Sequence, residues 1–253
     1  MSITRKELLT YLDNLLNSNL IKDYCPNGLQ VEGNNVINKV VTGVTASAAL
    51  IDEAIARGAD TILVHHGYFW KGEQQSITGL KQARIKKLLA NDINLFAYHL
   101  PIDVHQSFGN NIQLAKLLNV TNVESIESVN PVGVLMRGEF SKAVDANELE
   151  ARLTSALNRK PLVNAVRSKP ISSVAWCTGG GQGYIDIAAE LGVDAFITGE
   201  ASEQTIHSSR EYNIDFFAAG HHATERYGVK SLGEHLAEKF SLDVEFVDIH
   251  NPV

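Results

Sequence analysis

Cysteine is almost missing from this chain: Cys25 and Cys177 are the only two among 253 residues, and they lie far apart. That spacing supplies neither a disulfide framework nor the paired thiolates of a structural zinc site, and it fits a reducing, cytoplasmic setting. Long apolar runs are missing too, since no stretch approaches the roughly 18 residues that a membrane span requires. The opening residues, Met-Ser-Ile-Thr-Arg-Lys-Glu, lead into an amphipathic pattern without the apolar core of a signal peptide. Positive charge is in deficit. Lys and Arg number 22 against 29 Asp and Glu, a formal net charge of -7 that disfavours broad adhesion to nucleic acid or to an anionic membrane. The basic stretch Lys81, Arg84, Lys86 and Lys87 reads as a solvated helix face and receives no function.

What is present is enough apolar material for a full core or two: 44% of residues are hydrophobic and mean hydropathy is near zero, as in a soluble globular chain. An internal repeat organises it. Residues 40–64 align without a gap to residues 174–198: an apolar strand, a turn of small residues, a helix carrying Asp52 or Asp186, a glycine at 58 or 192, and a second apolar strand. The match extends to Ile93-Asn94-Leu95-Phe96-Ala97 against Ile214-Asp215-Phe216-Phe217-Ala218. It also extends to the helices around Leu8, Leu12, Leu16 and around Leu149, Leu153, Leu157. The pattern predicts an α/β fold of two similar lobes, 1–127 and 128–253, with parallel or mixed sheets covered by helices. Glu-Ser-Val-Asn-Pro, within residues 126–131, interrupts the pattern and marks the expected division.

Ligands of open α/β sheets collect where strands end and helices begin. His65 and His66 close the apolar run Thr61-Ile62-Leu63-Val64 and precede Gly67. In a buried strand each imidazole nitrogen needs a hydrogen-bond partner or a metal. Adjacent strand residues point to opposite faces, so the pair is not expected to chelate one ion, but at a strand end it can serve two ions side by side. An exposed turn at Gly67 is the other reading of the pair. The remaining strand ends carry Tyr98-His99-Leu100-Pro101-Ile102-Asp103, Gly199-Glu200 and Gly220-His221-His222-Ala223-Thr224-Glu225. A helix starting after Gly220 puts His221 and Glu225 on one face, with His222 pointing elsewhere. Pro101 is expected to keep its segment extended and let Asp103 turn back toward the strand ends.

A set of His, Asp and Glu without thiolate suits Zn, Mn, Fe, Co or Ni. His65, His66, Asp103, His221 and Glu225 are too many for one open catalytic ion and about right for two divalent ions sharing a carboxylate and a water. Two further segments keep two readings each. Thr178-Gly179-Gly180-Gly181-Gln182-Gly183 is either a tight structural turn or a phosphate cradle, and it lacks the Gly-Lys-Ser/Thr ending of a P-loop. Phe69 and Trp70 either pack or stack on a base.

Pro26-Asn27-Gly28-Leu29-Gln30-Val31-Glu32-Gly33, His65-His66-Gly67-Tyr68-Phe69-Trp70, His99-Leu100-Pro101-Ile102-Asp103, Gly199-Glu200 and Gly220-His221-His222-Ala223-Thr224-Glu225 together resemble the dinuclear-metal family of GTP cyclohydrolase 1 type 2 homologues. The resemblance spans essentially the whole chain. It implies two interlocked α/β lobes with a two-metal site between them, and ring-like homohexamers in which that site opens to an internal cavity. Carried over by motif, His65, His66, Asp103, His221 and Glu225 are the metal ligands, with Glu225 as the bridge. His99 is not carried over as a ligand; orienting Asp103, shuttling a proton, and a structural hydrogen bond are its three readings. The chain departs from the family at Thr45, where many members carry an acidic residue. The activity implied is metal-dependent hydrolysis, of GTP, another nucleotide or a peptide bond; a non-catalytic metal-bound scaffold is the rival reading.

Overall fold

The computed structural model describes residues 2–253. The chain divides into two compact units: one holds the residues up to Ile102 together with Gly228–His250, the other Asp103–Tyr227 together with Asn251–Val253. This differs from a single division between residues 127 and 128, and strand pairing is the reason. Val120–Ser125 pairs antiparallel with Met136–Val144, which ties it to the second unit. Asp243–Phe246 pairs parallel with Lys39–Thr45, which returns the end of the chain to the first.

The first unit is built on a five-stranded sheet in the order Asp243–Phe246, Lys39–Thr45, Thr61–His66, Asn94–Ala97, Gly28–Val31. The first four strands run parallel and Gly28–Val31 closes the edge antiparallel. In the second unit six strands lie in the order Val120–Ser125, Met136–Val144, Ile171–Cys177, Ala195–Thr198, Asp215–Ala218, Leu162–Asn164. There Ile171–Cys177, Ala195–Thr198 and Asp215–Ala218 are the parallel ones. Leu162–Asn164 closes that edge antiparallel, as Gly28–Val31 does in the first unit.

Helix Arg5–Leu16 starts from a Thr4–Glu7 capping box and buries Leu8, Leu12 and Leu16. Its counterpart Ala146–Leu157 starts from Asp145, which accepts from the Glu148 backbone, and buries Leu149, Leu153 and Leu157. Four-residue spacing of leucine thus presents one face of each helix to its own core.

The repeat also governs polar detail. Asp60 Oδ2 accepts from the backbone N–H of Asn38 and Lys39, at 2.7 and 2.9 Å. Asp194 Oδ2 does the same for Ser172 and Ser173, at 2.8 and 2.9 Å. In each unit one carboxylate satisfies the two amides that open the first parallel strand. Burial alone would raise the Asp194 carboxyl, but the Ser172 and Ser173 amides and the Arg167 guanidinium outweigh it and hold its pKa below the ordinary 3.8. A depressed carboxylate pKa stabilises the fold above its unfolded value, and that contribution is lost as pH falls through the folded value. Asp194→Ala is therefore expected to cost about 1–3 kcal/mol at neutral pH. The thermal melts of variant and parent should converge as pH drops below 3.8; a constant gap across that window would refute the account.

Among the described residues no helix is long and apolar enough to cross a membrane. The basic helix Gly79–Ala90 uses its charges locally, Lys87 on Asp52 at 2.5 Å and Lys81 on Glu73 at 3.3 Å.

Candidate metal centre

Strand Thr61–His66 is held on one side as far as the pair Val64 and Ala97, and on the other as far as Thr45 and His66. The histidines thus sit where the ladder runs out, and their rings are not splayed to opposite faces. Their centroids are 4.5 Å apart. Nitrogens of His65, His66 and His99 all come within 4.8 Å of one another, a group able to hold a metal ion. The expected opposition of neighbouring side chains therefore fails here, where the strand keeps a paired neighbour on one side only.

Each ring is oriented through Nδ1. Fully buried His65 places Nδ1 3.2 Å from the Tyr98 carbonyl. His66 Nδ1 lies 3.2 Å from Thr45 Oγ1, which makes Thr45 a hydroxyl partner to a histidine. His99 Nδ1 lies 2.8 Å from Asp23 Oδ1. Nδ1 engaged by an oxygen leaves Nε2 as the nitrogen to offer, the arrangement that metal-binding histidines share.

The segment that begins at Pro26 holds these loops together. Asn27 Oδ1 accepts from the His99 backbone at 2.7 Å and its Nδ2 donates to Asp23 at 2.9 Å. Gln30 accepts from the Tyr68 backbone at 2.7 Å and donates to the Tyr68 carbonyl at 3.1 Å. Gly67 leaves the room: a Cβ there would lie 2.2 Å from Gln30 Oε1 and 2.5 Å from Ala97 Cβ. Trp70 packs rather than projecting, its Nε1 donating to the Gly67 carbonyl at 3.2 Å and its ring lying edge-on to His99 at 4.9 Å.

In the second unit the four-residue helix His221–Thr224 follows Gly220 and ends at Glu225. The expected i, i+4 juxtaposition is present, with His221 Nε2 3.2 Å from Glu225 Oε1. His221 Nδ1 lies 2.7 Å from Glu200 Oε1, which gives a role to the carboxylate at the end of strand Ala195–Thr198. Burial alone would lower the His221 pKa, but the Glu225 and Glu200 carboxylates outweigh it and lift it to about 9. Glu225 is itself buried. Asp103 is buried and accepts at Oδ1 from Asn110 Nδ2 at 2.8 Å. It lies in helix Leu100–Val104, so Pro101 opens a helical turn rather than extending the chain, a position that its fixed φ and missing N–H tolerate.

The glycine-rich segment is a structural turn. Gly179 N–H donates to Thr224 Oγ1, Gly181 N–H donates to Thr198 Oγ1, and the Gly179 carbonyl accepts from Gly199, all at 2.8–3.0 Å. These amides are committed inside the protein. Gly179 has φ +68°, and a Cβ there would lie 2.1 Å from Glu225 Oε1 and 3.2 Å from His221 Nε2. Gly179→Ala is expected to displace the Glu225 carboxylate, cost about 1–3 kcal/mol of stability, and weaken metal binding about 10- to 100-fold. Equilibrium dialysis against zinc checks the second figure, and unchanged affinity would overturn it.

Both thiols stand outside this chemistry. Burial and the Asp23 charge push Cys25 up to about 12. Burial, then the Asp103 and Glu225 carboxylates, push Cys177 well above the ordinary thiol value. Asp23 and Asn110 are residues of this cluster that motif reading passes over. Asp23 lies three residues before Pro26-Asn27-Gly28, and only that proximity signals it.

Residues 3–252 match the family model Duf34/NIF3 (NGG1p interacting factor 3). A Haemophilus influenzae protein named GTP cyclohydrolase 1 type 2 homolog is 56% identical over 248 residues, covering 97% of this chain and 98% of its own. A Yersinia pestis protein of the same name is 58% identical over 247 residues, covering 97% and 98%. Among solved structures, one described as protein ybgI of unknown function superposes with TM-score 0.94 at 53% identity, covering 99% of this chain and all of its own. A Thermus thermophilus protein does so with TM-score 0.91 at 33% identity and the same coverage.

Proposed function

This chain belongs to the Duf34/NIF3 family, and on that premise we propose that it is a dinuclear metal-dependent hydrolase. In this reading the two units are similar α/β lobes. His65, His66, Asp103, His221 and Glu225 would hold two divalent ions of the Zn, Mn, Fe, Co or Ni type. The observation that carries the reading is the orientation of three histidines. His65 and His221 have Nδ1 3.2 and 2.7 Å from acceptor oxygens, of Tyr98 and Glu200, which leaves Nε2 to offer, and His66 Nδ1 lies 3.2 Å from the Thr45 hydroxyl. A purely structural histidine has no need of that uniformity. Asp103, steadied by Asn110, and the buried Glu225 supply the anionic donors that divalent cations require.

Two divalent ions a few ångströms apart would lower the pKa of a water between them and polarise the bond that it attacks. The protein's own residues do the rest. His99 carries the proton, Glu200 holds His221, and Asn110 holds Asp103. The names of the Haemophilus and Yersinia relatives suggest GTP as a substrate; the donor set supports water attack on an activated bond, and a nucleotide is the substrate class we adopt. A ring-shaped homohexamer in a reducing cytoplasm completes the reading, with both cysteines free.

The test is to purify the chain, load it with Mn or Zn, count ions by elemental analysis, measure assembly mass by light scattering, and screen nucleotides and peptides for turnover. Two ions per chain with metal-dependent nucleotide hydrolysis is the expected result. Two ions with no turnover on any substrate would overturn the hydrolase and establish a metal-bound scaffold.

A further inference from the structure

The first unit contains a second group of donors that the ligand set does not use. Asp23, Cys25 and His99 bring one oxygen, the sulfur and one nitrogen within 4.8 Å of one another. Three chemistries use such a trio: a further metal site, a cysteine nucleophile activated by histidine, or a carboxylate–imidazole pair that handles protons. Hydrogen-bond accounting separates them.

Asp23 has no room for a cation. Its Oδ1 accepts from Tyr24 N–H at 2.6 Å and from His99 Nδ1 at 2.8 Å. Its Oδ2 accepts from Asn27 Nδ2 and from Leu100 N–H, both at 2.9 Å. Two donors on each oxygen use the acceptor capacity of a carboxylate, so nothing is left to coordinate a metal. The cysteine reading fails as well, because burial and the Asp23 charge keep the Cys25 thiol protonated far above neutral pH.

The carboxylate–imidazole pair remains, and the surroundings are built for it. The Asp23 side chain is 2% exposed and that of His99 16%. Two of the four donors to Asp23 are main-chain N–H groups, of Tyr24 and Leu100, which cannot rotate away, so the backbone holds the carboxylate against His99. The His99 backbone is pinned separately by Asn27 Oδ1 at 2.7 Å. Its ring centroid is 4.9 Å from that of Trp70, 5.0 Å from that of His65 and 6.4 Å from that of Tyr24. We propose that Asp23 is a positioning residue for His99, fixing the tautomer with the proton on Nδ1 and the lone pair on Nε2.

This deepens the hydrolase reading and rests on His99 as its proton carrier. In that role Nε2 takes a proton from the attacking water as the water oxygen bonds the electrophilic atom. It returns the proton to the leaving atom as that bond breaks; no electron is gained or lost. Asp23 stays ionised throughout and steadies the imidazolium that forms between the two steps, as a buried carboxylate does in other histidine-based sites.

The experiment uses the full-length protein with 15N-labelled histidine, metal-free and zinc-loaded, with His99 assigned by comparison with His99→Gln. Long-range 1H–15N spectra should give a protonated, pyrrole-type Nδ1 and a bare, pyridine-type Nε2 for His99. In Asp23→Asn one oxygen becomes an NH2 that faces N–H donors on either side, and the His99 signals should move to the other tautomer or to an averaged pattern. With a substrate from the turnover screen, Asp23→Asn should lose about 10²-fold or more in kcat with little change in KM. Asp23→Glu should recover part of that loss. An Nε2-protonated or averaged His99 in the parent protein overturns the proposal, as does Asp23→Asn that leaves the tautomer unchanged. The parent spectrum decides the matter even if the variant does not fold. Ion counts on the same samples report separately on the metal reading, so failure of one is not mistaken for failure of the other.

Discussion

On the proposed ligand set, an Asp103→Ala chain is expected to fold and to bind metal far more weakly. The side chain is buried, 6% exposed, in the short helix Leu100–Val104, and its Oδ1 accepts from the fully buried Asn110 at 2.8 Å. Its backbone lies in a helical turn that alanine tolerates well, so the local fold should survive. Asn110 loses the carboxylate to which it donates, at a cost of about 1–3 kcal/mol. Losing a partner one step removed from a metal typically weakens binding 10- to 100-fold. Removing an anionic donor of the proposed set should therefore weaken it by more than about 100-fold, and the proposed metal-dependent turnover should vanish with it. Ion counts after dialysis, run beside a thermal melt, give the result. A folded Asp103→Ala protein holding the parent's full complement would remove Asp103 from the ligand set.

The largest effect on stability is expected at Trp176. This side chain is 1% exposed in the middle of the second unit's sheet, flanked in register by Met136 on one strand and Ile197 on the other. It packs in a core that includes Leu114, Phe140 and Leu153. Its Nε1 donates to the Asn111 carbonyl at 3.0 Å, and Asn111 Oδ1 in turn accepts from Thr178 N–H at 3.0 Å, one residue before Gly179. Trp176→Ala therefore opens a large cavity and removes a buried hydrogen bond, for about 3–5 kcal/mol. In a chain of this size that should lower the melting temperature by on the order of 10 °C. Trp176→Phe fills most of the space and loses only the indole hydrogen bond, so it should fall well short of that. A loss below about 1 kcal/mol for the alanine variant would mean that the site collapses around the gap.

The parts of the molecule that are legible in the amino-acid order share one property, that their cause is local. Leucine every fourth residue places Leu8, Leu12 and Leu16, and then Leu149, Leu153 and Leu157, on the buried faces of two helices. The helical period puts His221 and Glu225 together, and the length of the apolar run puts His65 and His66 at the end of their strand. The repeat carries more than hydrophobicity, since Asp60 and Asp194 tie the same pair of strand-opening amides. Pro101 shows the limit of local reading: its neighbours predict an extended segment, yet the residue opens a helical turn whose second half belongs to the other unit.

The amino-acid order was thus sufficient for the α/β class, for the repeat, and for which strand ends carry histidine and carboxylate, because backbone period and apolar spacing act over a few residues. It did not suffice for the partners. Asp23 meets His99 across 76 residues, Thr45 meets His66 across 21, and Glu200 meets His221 across 21. The division into units is likewise set by the pairing of Val120–Ser125 with Met136–Val144 and of Asp243–Phe246 with Lys39–Thr45. A hydrogen bond at 2.8 Å depends on where two separate strands stop and how their loops leave the sheet. Only strand register and core packing set those end points, so the orientation of each imidazole was decided in three dimensions.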